Sequence, residues 1–185
     1  MSLEYAILGF LQHKPISGYD MKKMFDASIK HFWSADQSQI YRTLNKLTVE
    51  GLISMELVIQ DDKPNSKIYH IEEKGKEEFL NWLNAPMLMA EHRIPWLIQV
   101  FFSAQLSDEA IINTFQQVAA QIHIRIGAYE EINKAGLVPN NSDFTPRDLF
   151  FMELTYDYGL MLHKSMLQWI EKVKKQIEKK EHPQK

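Results

Sequence analysis

No cysteine occurs among the 185 residues, which excludes disulfides, thiol nucleophiles and cysteine-ligated zinc. The histidines offer no substitute: none of the seven forms an HExxH or a tight pair, and no acidic residue joins them at ligand-like spacing. Neither a metal nor an organic cofactor is expected. GxGxxG turns, Walker-type loops and GxSxG elbows are also missing, so an enzyme reading has no constellation to carry it. The N-terminus has neither the cationic start nor the uninterrupted apolar stretch of a secretion signal, and the expectation is a cytoplasmic chain without a membrane partner. Excess positive charge is lacking too. The net charge is -3, and residues 1–84 carry ten Lys or Arg against twelve Asp or Glu. A generic coat for nucleic acid is thereby excluded; any grip on a polyanion must come from where a few cations sit.

What is present is apolar enough to fold, at 45%, and long enough for one or two modest cores. Pro86 and Pro95 interrupt helical periodicity, which divides the chain into parts 1–84 and 85–185. In the first part, Leu3, Ile7, Phe10 and Leu11 share one side of a helix from Ser2 to Leu11 that ends before Pro15. Ser17 and Asp20, three apart, cap a second helix with Met21, Met24, Phe25 and Ile29 as its inner side. Its N-terminal amides suit a phosphate, with Tyr19 and Lys22 beside them.

A third helix is predicted from a cap at Ser34 paired with Gln37, and Trp33 before it reads as a wedge between elements. Gly51 ends it where a left-handed backbone is needed. Ile40, Leu44 and Leu47 form the core stripe. The opposite side presents Ser38, Arg42 and Asn45, flanked by Gln39, Tyr41 and Lys46. Arginine can fork onto guanine, Asn or Gln onto adenine, while Tyr and Lys more often hold phosphates. Two strands follow, predicted at Leu57 to Gln60 and Ile68 to Ile71, with Asp61, Asp62, Pro64, Asn65 and Ser66 as the turn. Lys63 and Lys67 flank that tip and can reach a phosphate or a minor groove. Helix, helix, polar-faced helix and hairpin is the order of a winged helix-turn-helix.

The segments EYAILGFL, SGYDMKKMF, FWSADQSQIYRTLNKLTVEGLI and KIYHIEEKGKEEFLNWL together resemble the PadR family of transcription regulators, over nearly all of residues 4–83. The resemblance implies a DNA-binding winged helix, recognition-helix contacts at Ser38, Gln39, Tyr41 and Arg42, a wing at Lys63 to Lys67, and long C-terminal helices that make a homodimer. The chain departs from the family pattern at Arg42, where proline is common. The layout after residue 90 is similar to the subgroup with a large helical C-terminal domain. Some relatives sense aromatic acids and others multidrug-like compounds.

In that second part Ser107 caps a helix with Ile111, Phe115, Val118, Ile122, Tyr129 and Ile132 on one side. Thr145, Pro146 and Asp148 open another. A 3,4 alternation then runs through Leu149, Met152, Tyr156, Gly159, His163, Met166, Ile170, Val173 and Ile177. That stripe is expected as a dimer seam, with a seam inside the chain's own bundle as the competing reading. Trp96, Phe101 and Phe102 are the expected lining of an effector site. The fold class expected is mainly α, a winged helix-turn-helix followed by a helical dimerisation domain. The function expected is a homodimeric repressor with a double-stranded DNA operator, released by a small aromatic or apolar effector. The runner-up is a helical interaction or small-molecule-binding protein whose winged domain does not read DNA.

Overall fold

The computed structural model describes residues 2–59, 65–87, 93–135 and 144–180. Its elements run α1 (Ser2–Leu11), β1 (Ile16–Ser17), α2 (Gly18–Ala27), α3 (Gln37–Val49), β2 (Ile53–Val58), β3 (Ser66–Ile71), α4 (Glu73–Asn84), α5 (Pro95–Phe101), α6 (Asp108–Ala135) and α7 (Pro146–Glu178). This is the mainly helical winged-helix class expected. The backbone gathers into two compact units: Met1–Met87 with Gly136–Glu153, and Leu88–Ala135 with Leu154–Lys185. The first unit thus includes the opening turns of α7 as well as the part expected to end at residue 84.

The first unit is built around side chains whose spacing is helical. Ile7, Leu8 and Leu11 of α1, Met21 and Phe25 of α2, and Ile40, Leu44 and Leu47 of α3 meet in one core, which Ile53 and Tyr69 of the sheet close. The sheet has the order β1-β3-β2, all antiparallel, with Ile53 opposite Ile71 and Val58 opposite Ser66. Ser66 therefore belongs to β3 rather than to the turn. β2 starts at Ile53, four residues before the expected start, because pairing with β3 rather than local propensity sets its length.

Both ends of α3 have explicit chemistry. The N-cap is Asp36, not Ser34: Gln39 donates its backbone N–H to Asp36 Oδ1 at 2.7 Å, and the Gln39 side chain accepts from Asp36 N–H at 2.9 Å. Ser34 and Gln37 have the same separation, but Ala35 is buried just before Asp36 and Ile40 just inside the helix, which fixes the frame as a hydrophobic staple. At the other end Gly51 takes φ 69°, with Gly51 N–H on Thr48 O and Leu52 N–H on Leu47 O at 3.1 and 3.0 Å. This paired 5→2 and 6→1 closure satisfies two terminal carbonyls and turns Leu52 into the core.

In the second unit α6 and the later turns of α7 share a core of Phe115, Ala119, Ile122 and Ile170, with Trp169 packed on Trp96 and Phe115. The expected caps are present in geometry. Ser107 Oγ accepts from Ala110 N–H at 3.3 Å, and in the first unit Thr145 and Asp148 exchange bonds, Asp148 N–H to Thr145 Oγ1 at 3.2 Å and Thr145 N–H to Asp148 Oδ2 at 2.8 Å.

The nine-position stripe of α7 is taken up largely by the chain itself. Tyr156, Gly159, His163 and Ile170 are buried, and Met166, Val173 and Ile177 pack at the edge of the α6 core. Gly159 admits a phenol rather than a backbone: a Cβ there would stand 2.2 Å from the Tyr129 hydroxyl oxygen. The Tyr156 hydroxyl donates to the Tyr129 carbonyl, and His163 Nδ1–H donates to Gly159 O at 2.6 Å, which satisfies the one polar interruption locally. Leu149 and Met152 lie in the first unit, half-buried. Within one chain the stripe realises the intramolecular seam, the competing reading of the sequence.

Candidate nucleic-acid interface

The first unit turns the polar side of α3 outward because its apolar side is used up. Ser38, Gln39, Arg42, Asn45 and Lys46 are exposed, while Ile40, Leu44 and Leu47 have no exposure at all. Arg42, Ser38 and Asn45 make no side-chain hydrogen bond or ion pair among the described residues, so their donors and acceptors are available to a ligand. Gln39 keeps its amide in the cap. Lys46 is also engaged: its Nζ lies 2.5 Å from Glu4 Oε1 and 3.7 Å from Glu50 Oε1, and the hydrogen bond to Glu4 raises it above the ordinary lysine value. An incoming phosphate must compete with two carboxylates for that lysine.

Tyr41 has a second occupation that its polar neighbours conceal. Its ring lies over the backbone at the start of α2, where a Cβ on Gly18 would be 2.6 Å from Cε1 and 2.9 Å from the hydroxyl oxygen. The ring is half-buried against the core. Gly18 thus sets the spacing between the two helices of the helix-turn-helix and, through Tyr41, the orientation of the exposed strip. Sequence reasoning missed this role; the signal is a glycine directly after a capping serine in a helix that elsewhere avoids glycine.

At the start of α2, Ser17 Oγ accepts from Asp20 N–H at 3.0 Å and donates to Asp20 Oδ2 at 2.7 Å. Tyr19 projects there, 59% exposed, with Lys23 Nζ 4.4 Å above its ring. Lys23, one of the few cations on whose placement a grip on DNA depends, lies one helical turn after Tyr19. Lys22, an expected contact, is tied to Asp26 and is mostly covered. On the hairpin Lys67 is exposed, opposite Leu57, and the wing's stalk carries His70 and Glu56 in contact at 3.1 Å. Lys63 lies outside the described residues.

A separate feature of the first unit is an apolar hollow of about 440 Å³, lined among others by Tyr5, Phe32, Trp33, Trp82, Phe144 and Met152. Tyr5 and Trp82 stack with centroids 4.5 Å apart and planes at 6°, and His13 tilts over Phe144 at 4.5 Å. Trp33, expected as a core wedge, is instead a partly exposed wall of this hollow. The three residues expected to line an effector site stand elsewhere. Trp96 packs on Trp169, and Phe101 and Phe102 meet each other edge to face at 5.0 Å, exposed by 81% and 65%.

Comparison with known proteins decides the family. The model for the transcriptional regulator PadR-like family matches residues 7–81, and that for the virulence activator alpha C-terminal region matches residues 92–178. The negative transcriptional regulator PadR of Bacillus subtilis is 32% identical over 182 residues, covering 96% of this chain and 98% of its own. The chain belongs to the PadR-like family. Its members here are transcriptional regulators, not enzymes. The crystal structure of Bacillus subtilis PadR in complex with operator DNA superimposes with a TM-score of 0.84 at 28% identity, covering 96% of this chain and 99% of that one. The same regulator in complex with p-coumaric acid gives 0.78 at 27% identity, with the same coverage. Among the described residues no helix is long and apolar enough to cross a membrane, and no group of His, Asp or Glu is arranged to hold a metal ion.

Proposed function

We propose that this family member is an operator-binding repressor that works as a homodimer and is released by a small aromatic effector. The observation that carries the DNA reading is the α3 strip: Ser38, Arg42 and Asn45 exposed and unengaged on a helix capped at both ends. In the major groove Arg42 supplies base readout, Asn45 an amide for adenine, and Tyr19, Lys23 and Lys67 phosphate contacts. Lys46 contributes by releasing Glu4. Repression, rather than activation, rests on the negative regulator to which nearly the whole chain is similar.

Dimerisation needs a face that the chain leaves open. With the buried stripe of α7 spent on α6, the opposite side of the helix exposes Leu154, Tyr158, Met161 and Leu162, preceded by Phe150 and Phe151. So many large apolar side chains on one helix face mark an interaction surface rather than a solvated one. A two-fold partner on this face sets two α3 helices against half-sites about 34–36 Å apart or a multiple of that. The effector occupies the hollow bounded by Tyr5, Trp82 and Phe144, whose volume falls in the usual range for small-molecule sites of about 300–1,000 Å³. It lowers operator affinity by favouring a dimer in which the recognition helices are misplaced.

Selection of bound fragments from sheared genomic DNA tests the reading. An enriched element with two-fold symmetry is expected, and its complex should weaken steeply with salt. Binding without sequence preference, or none at low salt, would refute it and favour an interaction protein whose winged domain does not read DNA.

A further inference from the structure

We infer that the hollow of the first unit selects uncharged planar aromatic molecules and discriminates against aromatic carboxylates, the class of the p-coumaric acid bound by the similar regulator. The inference rests on reading that hollow as the effector site. Its walls are suited to flat rings: they hold the parallel Tyr5–Trp82 pair, with Phe79 tilted against Trp82 at 6.1 Å, in a largely apolar lining that also includes Ser2 and His13. At about 440 Å³ it has room for one or two rings.

Charge is where it departs from a site for an acid. Among the described residues the lining includes no Lys, Arg, Asp or Glu, and its titratable members are Tyr5 and His13. The Tyr5 hydroxyl is already committed, donating to Glu78 Oε1 at 3.0 Å. Desolvation first, then that hydrogen bond and the Glu78 charge, hold the Tyr5 phenol above its usual value, so it stays neutral. His13 lies over Phe144 and within the field of the Asp148 carboxylate. The cations near the walls stand outside the lining: Lys46, which acts on Tyr5, is held by Glu4, and Arg147 acts on the Asp148 carboxylate. A ligand carboxylate would leave water for a lining without an arginine or lysine, whereas the corresponding ester loses little hydration.

Two probes with the same ring and hydroxyl isolate the charge: p-coumaric acid and its methyl ester, titrated calorimetrically into the full chain near pH 7.5. The ester should bind at least about tenfold more tightly than the anion. Phe32→Ala, at a partly exposed wall position, should weaken ester binding severalfold with the thermal transition retained, and Phe101→Ala should leave it unchanged. Acid binding as tight as ester binding or tighter, lost in Phe32→Ala, overturns the charge selection while the site stands. Binding of neither probe, or ester binding that responds to Phe101→Ala and not to Phe32→Ala, overturns the site reading itself and the selection with it.

Discussion

Replacing Gly18 with alanine tests whether the spacing of α2 against α3 is set by one missing side chain. The new Cβ would stand 2.6 Å from Tyr41 Cε1, 2.8 Å from Cζ and 2.9 Å from the hydroxyl oxygen, so the ring must retreat by roughly 1 Å to regain ordinary contact. Crowding of this kind in a packed region costs about 1–3 kcal/mol. Against it, alanine for glycine at a helical position favours folding by about 0.4–1 kcal/mol. The net expectation is a destabilisation of about 1–2 kcal/mol, a loss of roughly 2–8 °C for a chain of this length. Operator affinity should fall further than stability alone explains, because a displaced Tyr41 drags Arg42 with it. The decisive assay is a double-mutant cycle followed by thermal melting and fluorescence anisotropy. In a Tyr41→Ala background nothing remains to collide with, so Gly18→Ala should become neutral or stabilising, a coupling of at least about 1 kcal/mol. If Gly18→Ala raises the melting temperature of the otherwise unaltered chain and leaves operator binding intact, the claim that Tyr41 is locked by this contact is wrong.

Three further outcomes follow from named contacts. A Cβ on Gly75 would lie 2.1 Å from the Leu52 carbonyl oxygen, a backbone atom that also accepts from Glu72 N–H at 3.0 Å; Gly75→Ala should therefore cost about 3 kcal/mol or more in urea unfolding, and a loss below about 1 kcal/mol would show that α4 is free to shift. Light scattering should give twice the 21.7 kDa chain mass, and Met161→Glu should return it to the monomer with helicity preserved; a dimer indifferent to Met161→Glu places the interface off the exposed face of α7. Asp148 has its carboxyl held below the ordinary value by its hydrogen bonds from Thr145, so its contribution to stability is present above its unfolded-state value and fades as pH falls through the lower folded one. Asp148→Asn should accordingly be less stable than the parent near neutrality and converge with it in acid, and a gap that persists or widens at low pH would contradict the assignment.

Local rules made much of the first unit legible. Ser17 with Asp20, Gly51 after Val49, and the Ile40, Leu44, Leu47 spacing each encode a structure that depends on near neighbours, and each is found where expected. The start of α3 was displaced by two residues because Ser34/Gln37 and Asp36/Gln39 satisfy the same spacing, and only the burial of Ala35 separates them. β1 was invisible, since two residues carry no periodicity and Ile16 and Ser17 pair only because β3 lies beside them. The α7 stripe was legible as a stripe, but an apolar face does not state whose apolar face will cover it. The hollow was not legible at all. Its walls come from positions as far apart as Tyr5 and Met152, brought together by the fold rather than by any local pattern.

The central claim is that the outward strip of α3 reads DNA, and quantitative binding of Arg42→Ala tests it most directly. With an operator recovered by selection, anisotropy titrations of parent and variant against that operator and a scrambled duplex separate readout from general attraction. Arg42→Ala should lose about 1–3 kcal/mol on the operator and much less on the scrambled duplex, with an unchanged thermal transition. Operator affinity equal to the parent's, or an equal loss on both duplexes, would contradict the assignment of Arg42 to a base.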